Sequence, residues 1–265
     1  MKKLTIITGA SSGLGAEFAR QLAADARDER QEIWLIARNE EKLATVAAGL
    51  AQTNATVRTF AMDISGRDGV QRVQKLLESE RATGDFVIDM LVNNAGFGTY
   101  GPFAETDTER EMQMIDLNCT TLTGICGIAL PYLPRGSTVI NVASLAAFLP
   151  LGNFAVYAAT KAFVLSFSVA LAAELKDAGI AVCALCPGSV STNFANVASN
   201  GTRREVRHGK DPAKVVRHCL AKSRRRKRII LWAVKWKCTA FLSRFVGRYA
   251  GARLTYLFRK LPHTR

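Results

Sequence analysis

Tyr157 and Lys161 stand four residues apart in the run Tyr157-Ala158-Ala159-Thr160-Lys161, and Ser144 precedes the tyrosine by thirteen positions. On a helix that spacing puts the phenol and the ammonium on one face. A cation beside a phenol favours the phenolate and draws down a pKa ordinarily about 10, towards a range useful for acid and base work. A serine hydroxyl at a strand end can donate to a carbonyl oxygen on which charge develops during hydride attack. The bland alternative for the Tyr/Lys pair alone is an amphipathic surface contact. Asn118, a poor helix-interior residue, points to a local distortion or a water-binding role, with a solvent-facing side chain as the alternative.

A second group of residues suits a nucleotide. Thr8-Gly9-Ala10-Ser11-Ser12-Gly13-Leu14-Gly15 joins an apolar run to a helical one. Gly9 allows the tight turn, Gly13 the close approach of a pyrophosphate, and Gly15 the packing of helix on strand. The helix then aims free N–H groups and a partial positive charge at the phosphates. Where a fold of this type places an acid for the ribose hydroxyls, this chain has Ala37 and then Arg38. A guanidinium pairs with a 2′-phosphate, so NADP is expected over NAD; otherwise Arg38 is a surface residue opening the next helix. Asp63 and Asn93-Asn94-Ala95-Gly96 close two further apolar runs, either flanking the adenine and its ribose or serving as turn residues.

Elements that hold these groups in place follow from periodicity. Short apolar runs at Leu4–Thr8, Glu32–Ala37, Thr56–Met62, Asp89–Asn93, Ser137–Ala143, Ile180–Cys186 and Arg228–Leu231 read as seven strands. Helical patterns fall between them at Gly13–Ala26, Glu40–Leu50, Gly66–Glu80, Glu109–Leu130, Phe154–Ala178 and Pro212–Ser223. Right-handed crossovers then give an α/β, doubly wound parallel sheet with helices on both faces and the ligand crevice at the carboxyl strand ends. Residues 189–210 read as a long mobile loop. One domain through residue 231 and a basic extension over 232–265 complete the expected organisation.

The 265 residues are 48% hydrophobic and 22% charged, which excludes a disordered or fibrous chain. Charge is uneven: residues 201–265 hold 20 Lys and Arg against 2 Asp and Glu, whereas residues 1–200 carry a slight acidic excess. A basic end suits an anionic partner or a merely solvated surface. Nucleic acid is the less favoured partner, because the run Arg224–Arg228 lacks interleaved aromatics and a recognition motif. Six cysteines without framework spacing fit free thiols in a reducing compartment, and Cys183-x-x-Cys186 lies in a strand-like apolar run. His208, His218 and His263 lack metal-ligand spacing. Only Leu4–Ile7 follow the initial Met-Lys-Lys before polar and glycine residues, so no export signal is read, and a cytoplasmic or membrane-peripheral protein is expected.

Taken in order, the Thr-Gly-x-x-x-Gly-x-Gly turn, Asn-Asn-Ala-Gly, Ser144 and Tyr-x-x-x-Lys resemble the short-chain dehydrogenase/reductase family over residues 1–195. That resemblance implies a Rossmann-like fold and an oxidoreductase acting on an apolar carbonyl or secondary alcohol with NADP(H). It implies Tyr157 as general acid in reduction and base in oxidation, with Ser144 orienting the carbonyl. It gives Lys161 the tasks of lowering the tyrosine pKa and holding the nicotinamide ribose, and Asn118 that of anchoring a water that links Lys161 to bulk. Ser11, Ser12 and Leu14 join the glycines around the cofactor, Asn94, Ala95 and Gly96 line its cleft, and Asp63 with Ile64 meets the adenine. Pro187, Gly188, Val190 and Thr192 resemble the segment that contacts the nicotinamide amide. A homo-oligomer, dimer or tetramer, is also implied, and hydroxysteroids, bile acids, 3-oxoacyl thioesters and small ketones are candidate substrates. The opposing expectation is a cofactor-binding sensor, or a membrane-recruited interaction protein, with idle chemistry.

Phe97, Tyr100, Phe103, Phe148, Leu149, Leu151 and Phe154 are candidates for an apolar pocket, or are ordinary core. In the extension, a single helical wheel gathers Leu242, Phe245, Val246, Tyr249 and Tyr256 on one side and Lys237, Arg244, Arg248 and Arg259 on another. Phe241 and Arg253 violate it, and Gly247 and Gly251 weaken a continuous helix. The apolar side then meets a membrane surface, roofs the substrate cleft or forms a subunit contact.

Overall fold

A computed structural model describes residues 1–27, 31–199, 201 and 209–258. Seven strands, β1 (Lys2–Thr8), β2 (Gln31–Ala37), β3 (Thr56–Ala61), β4 (Phe86–Asn93), β5 (Thr138–Val142), β6 (Ala181–Leu185) and β7 (Ile229–Ile230), form one sheet. Their spatial order is β3-β2-β1-β4-β5-β6-β7 and every pairing is parallel. The order reverses between β1 and β4, so a crevice opens at their carboxyl ends. Parallel strands covered on both faces carry apolar residues without alternation, which is why runs such as Ala181–Leu185 are continuous.

The helices α1 (Gly13–Ala24), α2 (Glu40–Ala48) and α8 (Pro212–Ser223) cover one face, closing a core around Phe18, Leu35, Leu43, Val215 and Leu220. The opposite face is packed by α3 (Gly66–Thr83), α5 (Leu122–Ala129) and α6 (Ala155–Glu174), around Leu4, Val73, Phe86, Ile125 and Val164. Strand β4 starts three residues earlier than the sequence pattern suggests. A register shift between Leu4 and Thr5 leaves Asp89 opposite neither, so one exposed acid interrupts an otherwise buried run.

Three expectations are corrected. The helix expected over Glu109–Leu130 is α4 (Thr108–Ile115), a π-helical turn over Asp116–Thr121, and then α5, followed by a 3-10 turn. The loop expected over 189–210 contains a short helix, α7 (Phe194–Ala198), and its ends are joined by a bridge between Val190 and Lys210. Residue 200 and residues 202–208 lie outside the described residues. The extension is two helices, α9 (Val234–Leu242) and α10 (Arg248–Phe258), parted by a 3-10 turn, Val246 and Gly247, so one helical wheel does not describe it. Arg259 lies outside the described residues. Helix α9 anchors Trp236, 5% exposed, in the core against Gly188, while α10 lays Gly251 against Leu149.

Candidate active site

The glycine turn is locked to the end of β4. Thr8 Oγ1 accepts the Asn94 and Ala95 amides at 3.0 Å each, and the Asn94 side chain donates to the carbonyls of Thr8 at 3.0 Å and Gly9 at 3.1 Å. Asn94 is therefore a brace between two strand ends. Gly9 has φ +65° and Gly13 φ +56°, in the left-handed region that favours glycine. A Cβ on Gly15 would lie 2.2 Å from the Gly9 carbonyl oxygen, and one on Gly13 would meet Thr192 at 3.3 Å. Gly13 and Thr192 thus approach each other closely, bringing the phosphate-type turn and the loop after β6 together.

Ser12 occupies the N-cap of α1 without making a capping bond. Its hydroxyl and the first-turn N–H groups of α1 are placed to meet an anion. Ser11 and Leu14 flank it, half-buried. Arg38 is exposed at the end of β2. The Asp63 carboxylate accepts the Ser65 amide at 3.0 Å, a turn role, while Ile64 is buried beneath Gly69. On the far side, the Pro187 carbonyl accepts the Leu145 amide at 2.8 Å and the Ser144 hydroxyl at 3.4 Å. A Cβ on Gly188 would strike Trp236, so the extension backs this segment directly.

Ser144, Tyr157 and Lys161 converge at the carboxyl ends of β5 and β6. All three are buried. Tyr157 shares a hydrogen bond with Ser144, yet burial dominates and pushes the phenol up to about 12. The expectation that Lys161 depresses the tyrosine is corrected here. Its ammonium donates to the Val142 carbonyl at 2.9 Å and stands 5.8 Å from the phenol ring centre, and burial pulls it down to about 8, against a smaller opposing influence from Cys119 and Cys186. Four-residue spacing gives a shared face without fixing which atoms meet.

That depression has a consequence for stability. Between about 8 and the ordinary 10.5 the unfolded chain holds a proton on Lys161 that the folded chain has released, so unfolding free energy rises with pH in that window. Above pH 10 the raised Tyr157 pKa acts in the opposite direction. Urea midpoints of the wild type are expected to gain from pH 8 to 10 relative to Lys161→Met, whose curve lacks this contribution. Parallel curves contradict the assignment.

Asn118 sits in the π turn with its side chain fully engaged. Its Oδ1 accepts the Phe97 amide at 3.1 Å, and its Nδ2 donates to the Phe97 carbonyl at 2.9 Å and to Thr160 Oγ1 at 3.1 Å. It clamps the loop after β4 to the helix bearing Tyr157, and Gly96 makes room for it: a Cβ there would fall 2.7 Å from Asn118 Oδ1. The distortion inferred from an asparagine mid-helix is present, and Thr121 secures it by donating to the carbonyls of Ile64 and Asp116.

Aromatic rings wall the tyrosine. Phe154 packs edge-on against it at 4.8 Å between centroids, Tyr100 against Phe154 at 5.1 Å, and Phe194 closes the other side at 5.4 Å. Of the pocket candidates, Tyr100 and Phe154 join this row, Phe148 packs on the main core, and Phe103 is exposed. Phe97 lies beneath the Arg110 guanidinium. Sequence reasoning missed Phe194, which follows the Pro-Gly segment closely enough to have been considered. It also missed the buried ladder Asn93–Asn141–Ser168, with bonds of 2.9 and 3.0 Å, that ties β4 and β5 to α6.

Comparison with known proteins places this geometry. The family described as short chain dehydrogenase matches residues 3–202. An uncharacterized oxidoreductase of Staphylococcus epidermidis is 30% identical over 207 residues, covering 77% of this chain and 85% of the relative. The probable oxidoreductase EphD of Mycobacterium bovis is 32% identical over 201 residues, which cover 75% of this chain and only 32% of EphD, so this chain matches about a third of that longer protein. Among solved structures, a short-chain dehydrogenase from Sphingobium yanoikuyae in complex with NADPH superposes with a TM-score of 0.77 at 26% identity, over 92% of this chain and 94% of the other.

Proposed function

Because the chain belongs to the short-chain dehydrogenase family, we propose that it is an NADP(H)-dependent oxidoreductase that reduces an apolar ketone to a secondary alcohol, or runs the reverse. The observation that carries this reading is the buried Tyr157–Ser144 pair, walled by aromatic rings and set at the same sheet edge as the glycine turn. The turn fits a dinucleotide: side chains are absent where Gly9, Gly13 and Gly15 make close approaches, and Ser12 offers an unused cap. Ser11, Ser12 and Leu14 would hold the phosphates, Asp63 and Ile64 would border the adenine, and Pro187, Gly188, Val190 and Thr192 would border the nicotinamide. When bound, the nicotinamide supplies the hydride that the carbonyl carbon receives.

The chain's own residues handle the proton. Ser144 positions the carbonyl oxygen by a hydrogen bond, and Tyr157 Oη–H delivers its proton there as negative charge builds. A phenol kept protonated by burial at neutral pH is poised for reduction. Lys161, beside Tyr157, would hold the nicotinamide ribose, and Asn118 with Gly96 keeps that wall in place. The aromatic row excludes water and selects apolar groups flanking the carbonyl. Hydroxysteroids, bile acids, 3-oxoacyl chains and small ketones remain the classes to assay, and a dimer or tetramer in a cytoplasmic setting completes the proposal.

Arg38 sets the cofactor. Its exposed guanidinium at the end of β2 suits a 2′-phosphate, whereas an acid there would repel it. Arg38→Ala is expected to lower NADPH affinity about tenfold, the loss of a charge-assisted pair worth about 1.5 kcal/mol, and to leave NADH affinity unchanged. Titration by cofactor fluorescence checks this, and an unaltered NADPH preference refutes the assignment. The reductase reading itself is tested by NADPH consumption across those ketone classes. Saturable turnover supports it, and tight NADPH binding with no turnover of any class favours an idle sensor.

A further inference from the structure

The outward sides of α9 and α10 expose large apolar residues that the fold does not cover. Phe245 is 74%, Tyr249 83%, Phe258 78% and Val234 72% exposed, with Phe241 and Leu242 beside them. Phe241 and Phe245 lean on each other, edge to face, at 5.4 Å. Interspersed among these are Lys235, Lys237, Arg244, Arg248 and Arg253, all exposed, and no acidic residue follows Asp211 in the sequence. The inward sides are already committed: Trp236 and Ala240 pack α9 on the body, and Thr255 Oγ1 and the Tyr256 carbonyl accept bonds from Gly152 and Asn153. The extension is therefore held by one side, with a second side that is both greasy and cationic.

We propose that this second side docks on an anionic lipid bilayer. Aromatic and aliphatic side chains enter the headgroup boundary while lysines and arginines pair with lipid phosphates, a combination neither partner type below satisfies. A nucleic acid would use the cations and leave Val234, Leu242 and Phe245 facing water. A second copy of the same face would oppose five basic residues to five, with no acid to pair them. Docking also places the loop Leu149–Asn153, which α10 backs and which leads into Phe154, close to the lipid. Resting on the reductase reading above, this means that ketones dissolved in the membrane reach the aromatic row from the lipid side.

Flotation of the full chain with vesicles of phosphatidylcholine alone, and of phosphatidylcholine with phosphatidylglycerol, tests the docking. The expected result is recovery with the phosphatidylglycerol vesicles only, reversed by high salt. Phe245→Glu, and separately Lys235→Glu with Lys237→Glu, are expected to reduce that partition about tenfold or more. All three positions are exposed, and melting temperatures matching the wild type show that folding is retained. Wild type left in solution with both vesicle types overturns the proposal, as does equal flotation of the variants. Binding to duplex DNA or RNA, or a dimer dispersed by the same substitutions, overturns it when vesicle binding is absent. Turnover of a water-soluble ketone in vesicle-free buffer reports on the reductase reading alone, so either can fail without the other.

Discussion

Replacing Tyr157 by Phe is expected to lower kcat for ketone reduction by about 10²- to 10⁴-fold, the usual contribution of a positioned proton donor. The ring stays, so contacts with Phe154 and Phe194 survive and NADPH binding changes little. Only the Oη is lost, together with its hydrogen bond to Ser144. The loss should therefore fall on kcat rather than on KM, because the phenol acts where charge develops on the substrate oxygen. Steady-state kinetics with NADPH and the best ketone give both constants. A variant that retains full kcat removes Tyr157 from the proton-donating role.

Gly15→Ala is expected to cost about 3 kcal/mol in stability or cofactor binding, at the upper end of overpacking effects. The new methyl would lie 2.2 Å from the Gly9 carbonyl oxygen and 2.6 Å from Asn94 Nδ2, and neither can yield cheaply. Asn94 Nδ2 is bonded to the carbonyls of Thr8 and Gly9, and the Gly9 amide is bonded to the Ile36 carbonyl at 2.8 Å. Relief requires α1 to move away from β1, which drags its N-terminal N–H groups from their position at the crevice. Urea unfolding with and without NADPH separates the two losses. A variant matching wild type in both shows that α1 is free to shift.

Much of this molecule was legible because its local and global requirements agree. Buried parallel strands need apolar runs, and Ile33–Ala37 and Ala181–Leu185 supply them unbroken. The glycine turn is readable because Gly9 and Gly13 occupy conformations that favour glycine. Tyr157, Lys161 and Ser144 were reachable from helical spacing and strand-end position. What escaped depends on side chains that reach across the chain. Asn118 hints at a local distortion, but its bonds to Phe97 across the chain, and the π turn that divides a pattern reading as one continuous helix, are not encoded in spacing. Phe194 joins the tyrosine only because α7 forms within a polar stretch. Lys161 donates to the Val142 carbonyl and its ammonium stands 5.8 Å from the phenol ring centre, a matter of rotamer and burial that no spacing encodes. In the extension, Trp236 and Gly251 are chosen by the surfaces they meet, Gly188 and Leu149, and the break at Val246 and Gly247 divides what one helical wheel treats as continuous.

Transfer of label from nicotinamide to product is the most direct test. The protein is incubated with NADPH deuterated at the transferring nicotinamide carbon and an apolar ketone, and the alcohol is weighed by mass spectrometry. The account predicts a single deuterium on the carbinol carbon, with product formation suppressed in Tyr157→Phe. Unlabelled alcohol, or labelled alcohol formed equally well by the variant, would contradict it.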